Sequence, residues 1–99
     1  MREKYIENKI KNYLKSKNVW YVKYFANSYT PVGIPDILAC VNGKFVAIEV
    51  KNEIGKTTLL QDYNIKKIKE SGGYALIVNP ESFEKFKIFI AGLLSDKII

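Results

Sequence analysis

Histidine is absent from this chain, and cysteine, tryptophan and methionine each occur once. Without histidine there is no catalytic imidazole and no His/Cys zinc cluster. The lone Cys40 cannot close an internal disulfide, so a reducing, cytoplasmic setting is expected. No stretch reaches the ~18 consecutive apolar residues of a membrane span. The opening Met-Arg-Glu-Lys-Tyr lacks the apolar core of a signal peptide, so no membrane association is expected. Internal repeats, low-complexity tracts and linker-like segments are missing as well.

Arginine is also scarce. Arg2 is alone among 16 basic residues, the rest being lysines, against 10 acidic ones. The net charge of +6 favours a polyanionic partner. Lysine is a compact point charge suited to phosphate, whereas arginine dominates bidentate reading of guanine. Backbone contact with a nucleic acid is therefore expected over base reading, the plain alternative being a lysine-rich surface that only confers solubility. The length of 99 residues and the apolar fraction of 47% suit one globular domain over 1–99.

Ile6, Ile10, Tyr13 and Leu14 recur at helical spacing and predict a helix over 2–17. The aromatic and β-branched run at 19–25 predicts a strand, with Trp20 in the core. A loop with Asn27, Ser28, Pro31, Gly33 and Pro35 follows. After the strands that flank Asn42-Gly43, a helix should start near Thr58 and stop at Gly72-Gly73. Leu60, Tyr63, Ile65 and Ile68 are its candidates for burial. Tyr74–Val78 reads as a short strand. Asn79-Pro80-Glu81 reads as a helix start, with Asn79 as cap, leading into a last helix over 81–94. The order is α-β-β-β-α-β-α, an α/β fold with helices flanking the sheet.

Asn-Gly between two apolar runs is the strongest short hairpin signal, because a type I′ turn needs φ > 0 at both central residues. A two-residue turn at Asn42-Gly43 pairs Val41 with Lys44 and Cys40 with Phe45. Counting outward, Leu38 meets Ala47 and Asp36 meets Glu49. Opposed carboxylates on one face, with Cβ atoms roughly 5 Å apart, repel and destabilise a sheet. A divalent cation would offset that repulsion. Lys51 shares the face of Glu49, because strand side chains alternate with period two. Asp, Glu and Lys on one patch look like a metal-dependent phosphodiester-cleaving site; the plain alternative is solvated charge on an exposed sheet.

Gly33-Ile34-Pro35-Asp36, followed thirteen positions later by Glu49-Val50-Lys51, resembles the PD-(D/E)XK nuclease superfamily. The continuation Gly55-Lys56-Thr57-Thr58-Leu59-Leu60-Gln61, then a helix, Gly72-Gly73 and an apolar strand, is similar to the small standalone form of the virus-type replication-repair nuclease domain, VRR-NUC. The resemblance covers nearly the whole chain. It implies a restriction-endonuclease-like core with a mixed sheet, and Mg²⁺ or Mn²⁺ held by Asp36, Glu49 and the Val50 carbonyl. Lys51 would orient the attacking water or stabilise the transition state. It further implies a homodimer that cuts branched, Holliday-junction-like DNA, in a bacterial or phage-infected cell. A less selective flap or single-strand nuclease and a catalytically silent DNA-binding module are the alternatives.

Members often carry a first-helix glutamate, and Glu7, ahead of Ile10 and Leu14, matches it; pairing with Lys11 at i+4 is its plain alternative. Gln61 matches the family's glutamine, yet Thr58-Leu59-Leu60-Gln61 is also a capping box. Lys56 and Lys66 are candidate phosphate contacts, as are Asn27 and Ser28, whereas Lys69 reads as part of the wet helix face. Tyr63 and Tyr74 read as packing residues. The last helix, with Phe89, Ile90, Leu93, Leu94 and the terminal Ile98-Ile99, would serve either as a dimer face or as an ordinary core helix.

Overall fold

A computed structural model describes residues 3–52 and 56–96. Arg2, Gly55 and the terminal Ile98-Ile99, all invoked above, lie outside them. The elements are α1 (Glu3–Ser16), β1 (Trp20–Lys23), β2 (Ile37–Val41), β3 (Lys44–Val50), α2 (Leu59–Glu70), β4 (Tyr74–Val78) and α3 (Phe83–Ser95), in the expected order. The sheet is mixed: β1-β2-β3 run antiparallel and β4 joins β3 in parallel. A parallel neighbour needs a crossover, and α2 supplies it.

The hairpin register is the one the turn predicts. Val41 pairs with Lys44, Cys40 with Phe45 and Leu38 with Ala47. Both turn residues hold positive φ, 51° at Asn42 and 80° at Gly43. The Asn42 amide also donates to the carbonyls of Leu93 and Asp96, each at 2.9 Å, which ties the end of α3 to the turn.

Period-two alternation splits the sheet into two unequal faces. Ile37, Ala39, Val41, Val46, Ile48 and Val50 pack against Ile6, Ile10 and Leu14 of α1 and Phe83, Phe86, Ile90 and Leu93 of α3. α3 is thus a core helix, whose apolar side is spent on its own sheet. The other face is smaller: Ala47 and Ala75 meet Ile65 of α2, with Leu38 and Ile68 at the edge.

α2 begins at the expected cap and ends in a Schellman motif, with Gly72 at φ 96°, its N–H on the Lys69 carbonyl and that of Gly73 on Ile68. Its burial is narrower than the sequence suggested. Ile65 is buried, whereas Leu60 and Tyr63 are exposed, because α2 lies over one corner of the sheet.

Two other expectations are corrected. Trp20 is not in the core; it is 64% exposed. It pairs with Cys40, which pairs with Phe45, so these side chains form a row on the face that α2 leaves open. Asn79 does not cap α3. It heads a turn, accepting the Ser82 N–H at 2.9 Å, and the helix starts at Phe83 with Ser82 at the N-cap, three residues beyond the expected cap. The Asn79–Ser82 turn satisfies locally the donor that a cap would have used.

Candidate active site

The open end of the hairpin gathers charge. Asp36 directly precedes β2, and its backbone carbonyl accepts the Tyr24 N–H at 2.8 Å. Its Oδ2 accepts the Val50 N–H at 2.8 Å. Asp36 is thereby clamped between β1 and β3, just beyond the last pair of the ladder, Ile37–Ile48, where its charge acts on Glu49.

Glu49 sits in the central strand at 3% exposure. Its Oε2 accepts from Gln61 Nε2 at 2.9 Å and lies 3.4 Å from Lys51 Nζ. Its Oε1 is buried with no hydrogen-bond partner among the described residues. Burial, reinforced by the charge of Asp36, pushes the Glu49 carboxyl up to about 7 against the opposing pull of Lys51. A half-satisfied buried carboxylate beside another carboxylate is costly unless something cationic completes it.

Gln61 closes the capping box and also touches Glu49, so the cap does not lock its side chain away from the charge cluster. Its Oε1 accepts the Thr58 N–H at 2.9 Å and its backbone N–H donates to Thr58 Oγ1 at 3.1 Å, closing the capping box. The other end of the same amide reaches Glu49.

Glu7 of α1 is buried and forms two ion pairs, with Lys11 at 2.9 Å and Lys23 at 2.7 Å. The expected i+4 pair is present, but it does not exhaust the carboxylate. Burial alone would raise the Glu7 pKa; Lys23 and Lys11 outweigh it and lower it. Lys23 also lies 3.6 Å from Asp36 Oδ1 and so joins α1 to the hairpin. Burial would lower the Lys23 pKa, but the hydrogen bond to Glu7 and the charge of Asp36 hold it raised.

The sequence reading missed Lys23. Its signal was available: it is the single charge within 19–25, on the face that Tyr21 uses for packing, and a charge there needs a partner.

The remaining candidates lie around this cluster. Val50 sits between Glu49 and Lys51 with its own side chain buried on the α1 side. Lys56 is exposed before α2, and Lys66 is exposed with Glu70 at 4.0 Å. Asn27 and Ser28 are exposed in the loop between β1 and β2, and Asn27 Oδ1 accepts the Tyr29 N–H at 2.7 Å. Tyr74 packs edge-on against Phe89, as expected, while Tyr63 is exposed.

The donors suit a hard divalent cation. Carboxylate oxygens are its preferred ligands, and the orphaned Glu49 Oε1 is the atom such an ion would satisfy. Among the described residues no three carboxylate, cysteine or histidine side chains converge, so two carboxylates would be completed by other oxygens, as Mg²⁺ commonly is with waters and phosphate.

A mixed sheet whose central hairpin carries Asp, Glu and Lys at its open end defines a PD-(D/E)XK nuclease. Residues 2–95 match the family model of the archaeal Holliday junction resolvase, Hjc. The chain belongs to that family, and it is a metal-dependent, structure-selective endodeoxyribonuclease acting on branched DNA. No curated protein matches it. The match falls within the superfamily that the motif indicates, but on the archaeal resolvases rather than the virus-type domain. A bacterial or phage-infected host gains no support from it. No described helix is long and apolar enough to cross a membrane.

Proposed function

We propose that Asp36, Glu49 and the Val50 carbonyl hold one Mg²⁺ or Mn²⁺ ion at which the chain cuts four-way junctions. The observation that carries this reading is the buried Glu49 Oε1, without a hydrogen-bond partner among the described residues, beside Asp36. A divalent ion bound there would lower the pKa of a bound water and neutralise charge on the scissile phosphate. Lys51, held at 3.4 Å from Glu49, is placed to steady that water or to donate to a phosphate oxygen. Gln61 fixes the rotamer of Glu49, and Glu7 acts through Lys23 on Asp36. Lys56, Lys66, Asn27 and Ser28 contribute backbone contacts to DNA.

The working unit is a homodimer of one nuclease domain per chain, 1–99. Each chain offers one such site, whereas a four-way junction is resolved by two symmetry-related incisions, which a two-fold dimer delivers. The shared placement of Gln61 and the capping threonine supports a kinship with the virus-type nucleases inside the superfamily. The unpaired Cys40 supports a cytoplasmic setting.

The test is cleavage of a labelled four-way junction in Mg²⁺ or Mn²⁺ by wild type, Asp36→Asn, Glu49→Gln and Lys51→Met, with flaps, single strands and linear duplex alongside. Each variant should lose cleavage at least 100-fold while keeping its circular dichroism. Calorimetric titration with Mn²⁺ should lose its heat in the two carboxylate variants. Full cleavage by Asp36→Asn or Glu49→Gln would defeat the site assignment. A monomer by light scattering, with and without junction, would defeat the dimer.

A further inference from the structure

The loop between Lys23 and Asp36 leaves large apolar groups in water: Tyr29 is 95% exposed, Phe25 74% and Val32 57%. Single exposed aromatics need no explanation, but several on one short loop beside a functional site do. The loop is also built rather than slack. Tyr24 Oη donates to the Pro31 carbonyl at 2.6 Å, and the Asn27 N–H donates to Thr30 Oγ1 at 2.8 Å. The Asn64 amide of α2 donates to the Gly33 carbonyl at 3.1 Å. These bonds fix the loop backbone while the Phe25 and Tyr29 rings stay outside the core.

We propose that Phe25 and Tyr29 form a stacking platform for a base left unstacked at the branch point, and that this platform is a source of the preference for branched DNA. The inference rests on the nuclease reading above and assigns it a specificity element. The loop begins and ends at residues of the charge cluster, so DNA whose phosphate enters the site passes over it. Lys23 Nζ, held by Glu7 and Asp36, lies 6.0 Å from the centre of the Phe25 ring, which sets that ring at the edge of the charge cluster. Exposed rings on a basic protein are how single-stranded nucleic acid is held without sequence preference, each base stacking on an aromatic face. In continuous duplex every base is stacked on its neighbours and offers no free face. At a branch point the stack is interrupted, and a rigid exposed ring can cover the open face. The net charge of +6 favours this occupant over an apolar protein segment.

The experiment places 2-aminopurine at the branch point of a four-way junction and follows its fluorescence on binding in Ca²⁺, with a linear duplex of equal length as the control. Wild type should change the fluorescence. Phe25→Ala and Tyr29→Ala should lose that change and weaken junction binding about tenfold each, with duplex affinity unaltered. Tyr29→Phe should behave as wild type, because the ring and not the hydroxyl acts. The proposal is overturned if wild type gives no fluorescence change, if both alanine variants keep the signal and the junction preference, or if they weaken junction and duplex alike. Failure of the nuclease reading would look different: the fluorescence response would persist while wild type left the junction uncut in Mg²⁺ and Mn²⁺.

Discussion

Gln61 donates to Glu49 Oε2 at 2.9 Å while its other amide atom accepts the Thr58 N–H at 2.9 Å. One side chain therefore couples the start of α2 to the most buried carboxylate of the site. The two functions can be separated. Thr58→Ala removes the cap alone and should cost about 1 kcal/mol of stability, with cleavage near that of wild type. Gln61→Ala removes the cap partner and also leaves Glu49 with fewer donors. It should cost a similar amount and lower Mn²⁺ affinity and cleavage by about 10–100-fold, the usual effect of losing a residue that orients a ligand. Equal cleavage by the two variants would show that Gln61 is only a cap.

Lys23 bridges Glu7 and Asp36, at 2.7 and 3.6 Å. Lys23→Met leaves a buried glutamate with Lys11 as its remaining ion-pair partner. It should destabilise the fold by roughly 1–3 kcal/mol, the cost of an under-satisfied buried charge. A double-mutant cycle with Glu7→Gln, measured by urea unfolding, should return a coupling of about 1 kcal/mol or more. Additive effects of the two substitutions would mean that the contact is incidental.

The site was legible where local rules are strict. Asn42-Gly43 admits few turn types, so the register from Val41–Lys44 to Ile37–Ile48 followed from it, and with it the closeness of Asp36 and Glu49 just beyond. Thr58 and Gln61 were legible because a capping box is a contact between near neighbours. Lys23 and Trp20 were not, because both depend on what covers the sheet. A four-residue edge strand carries too little alternation to say which side is buried. Nothing local reveals that α2 stops short of the Trp20–Cys40–Phe45 row. The start of α3 was misplaced because Asn79 serves equally well in a turn and in a cap, and the choice rests with Ser82 three residues later.

Gly33 and Gly43 provide a controlled pair, since both hold φ at 80°. Alanine at Gly43 would meet nothing within 4 Å and should cost only the backbone strain, about 1–2 kcal/mol. Alanine at Gly33 would place its Cβ 2.6 Å from Leu60 Cγ and 3.0 Å from the Leu60 backbone. It must push the loop off α2, so roughly a further 1–3 kcal/mol is expected. Because that loop leads into Asp36, Gly33→Ala should also lower cleavage, whereas Gly43→Ala should not. Thermal melts and junction cleavage at one temperature test both; equal losses for the two variants would remove the Gly33–Leu60 contact from the account.

Stability should fall as pH rises toward neutrality in the absence of divalent cations. The Glu49 carboxyl has a pKa of about 7 when folded against an ordinary 4.5, so the folded chain binds this proton more tightly than the unfolded one. Its contribution is fully present below about pH 4.5 and is lost as pH rises through about 7. Glu7 works in the opposite sense, because its lowered pKa makes its contribution present above the ordinary value and lost in acid. The difference between wild type and Glu49→Gln isolates the first effect. In EDTA, Glu49→Gln should match wild type near pH 4.5 and exceed it at pH 8 by on the order of 2–3 kcal/mol. Saturating Mn²⁺ should then stabilise wild type at pH 8 and leave Glu49→Gln nearly unmoved, because binding to the folded state alone raises stability with the logarithm of the free ion. A wild-type melting curve that is flat between pH 5 and pH 8 in EDTA, or an equal Mn²⁺ response in both proteins, would remove Glu49 as the strained ligand of the site.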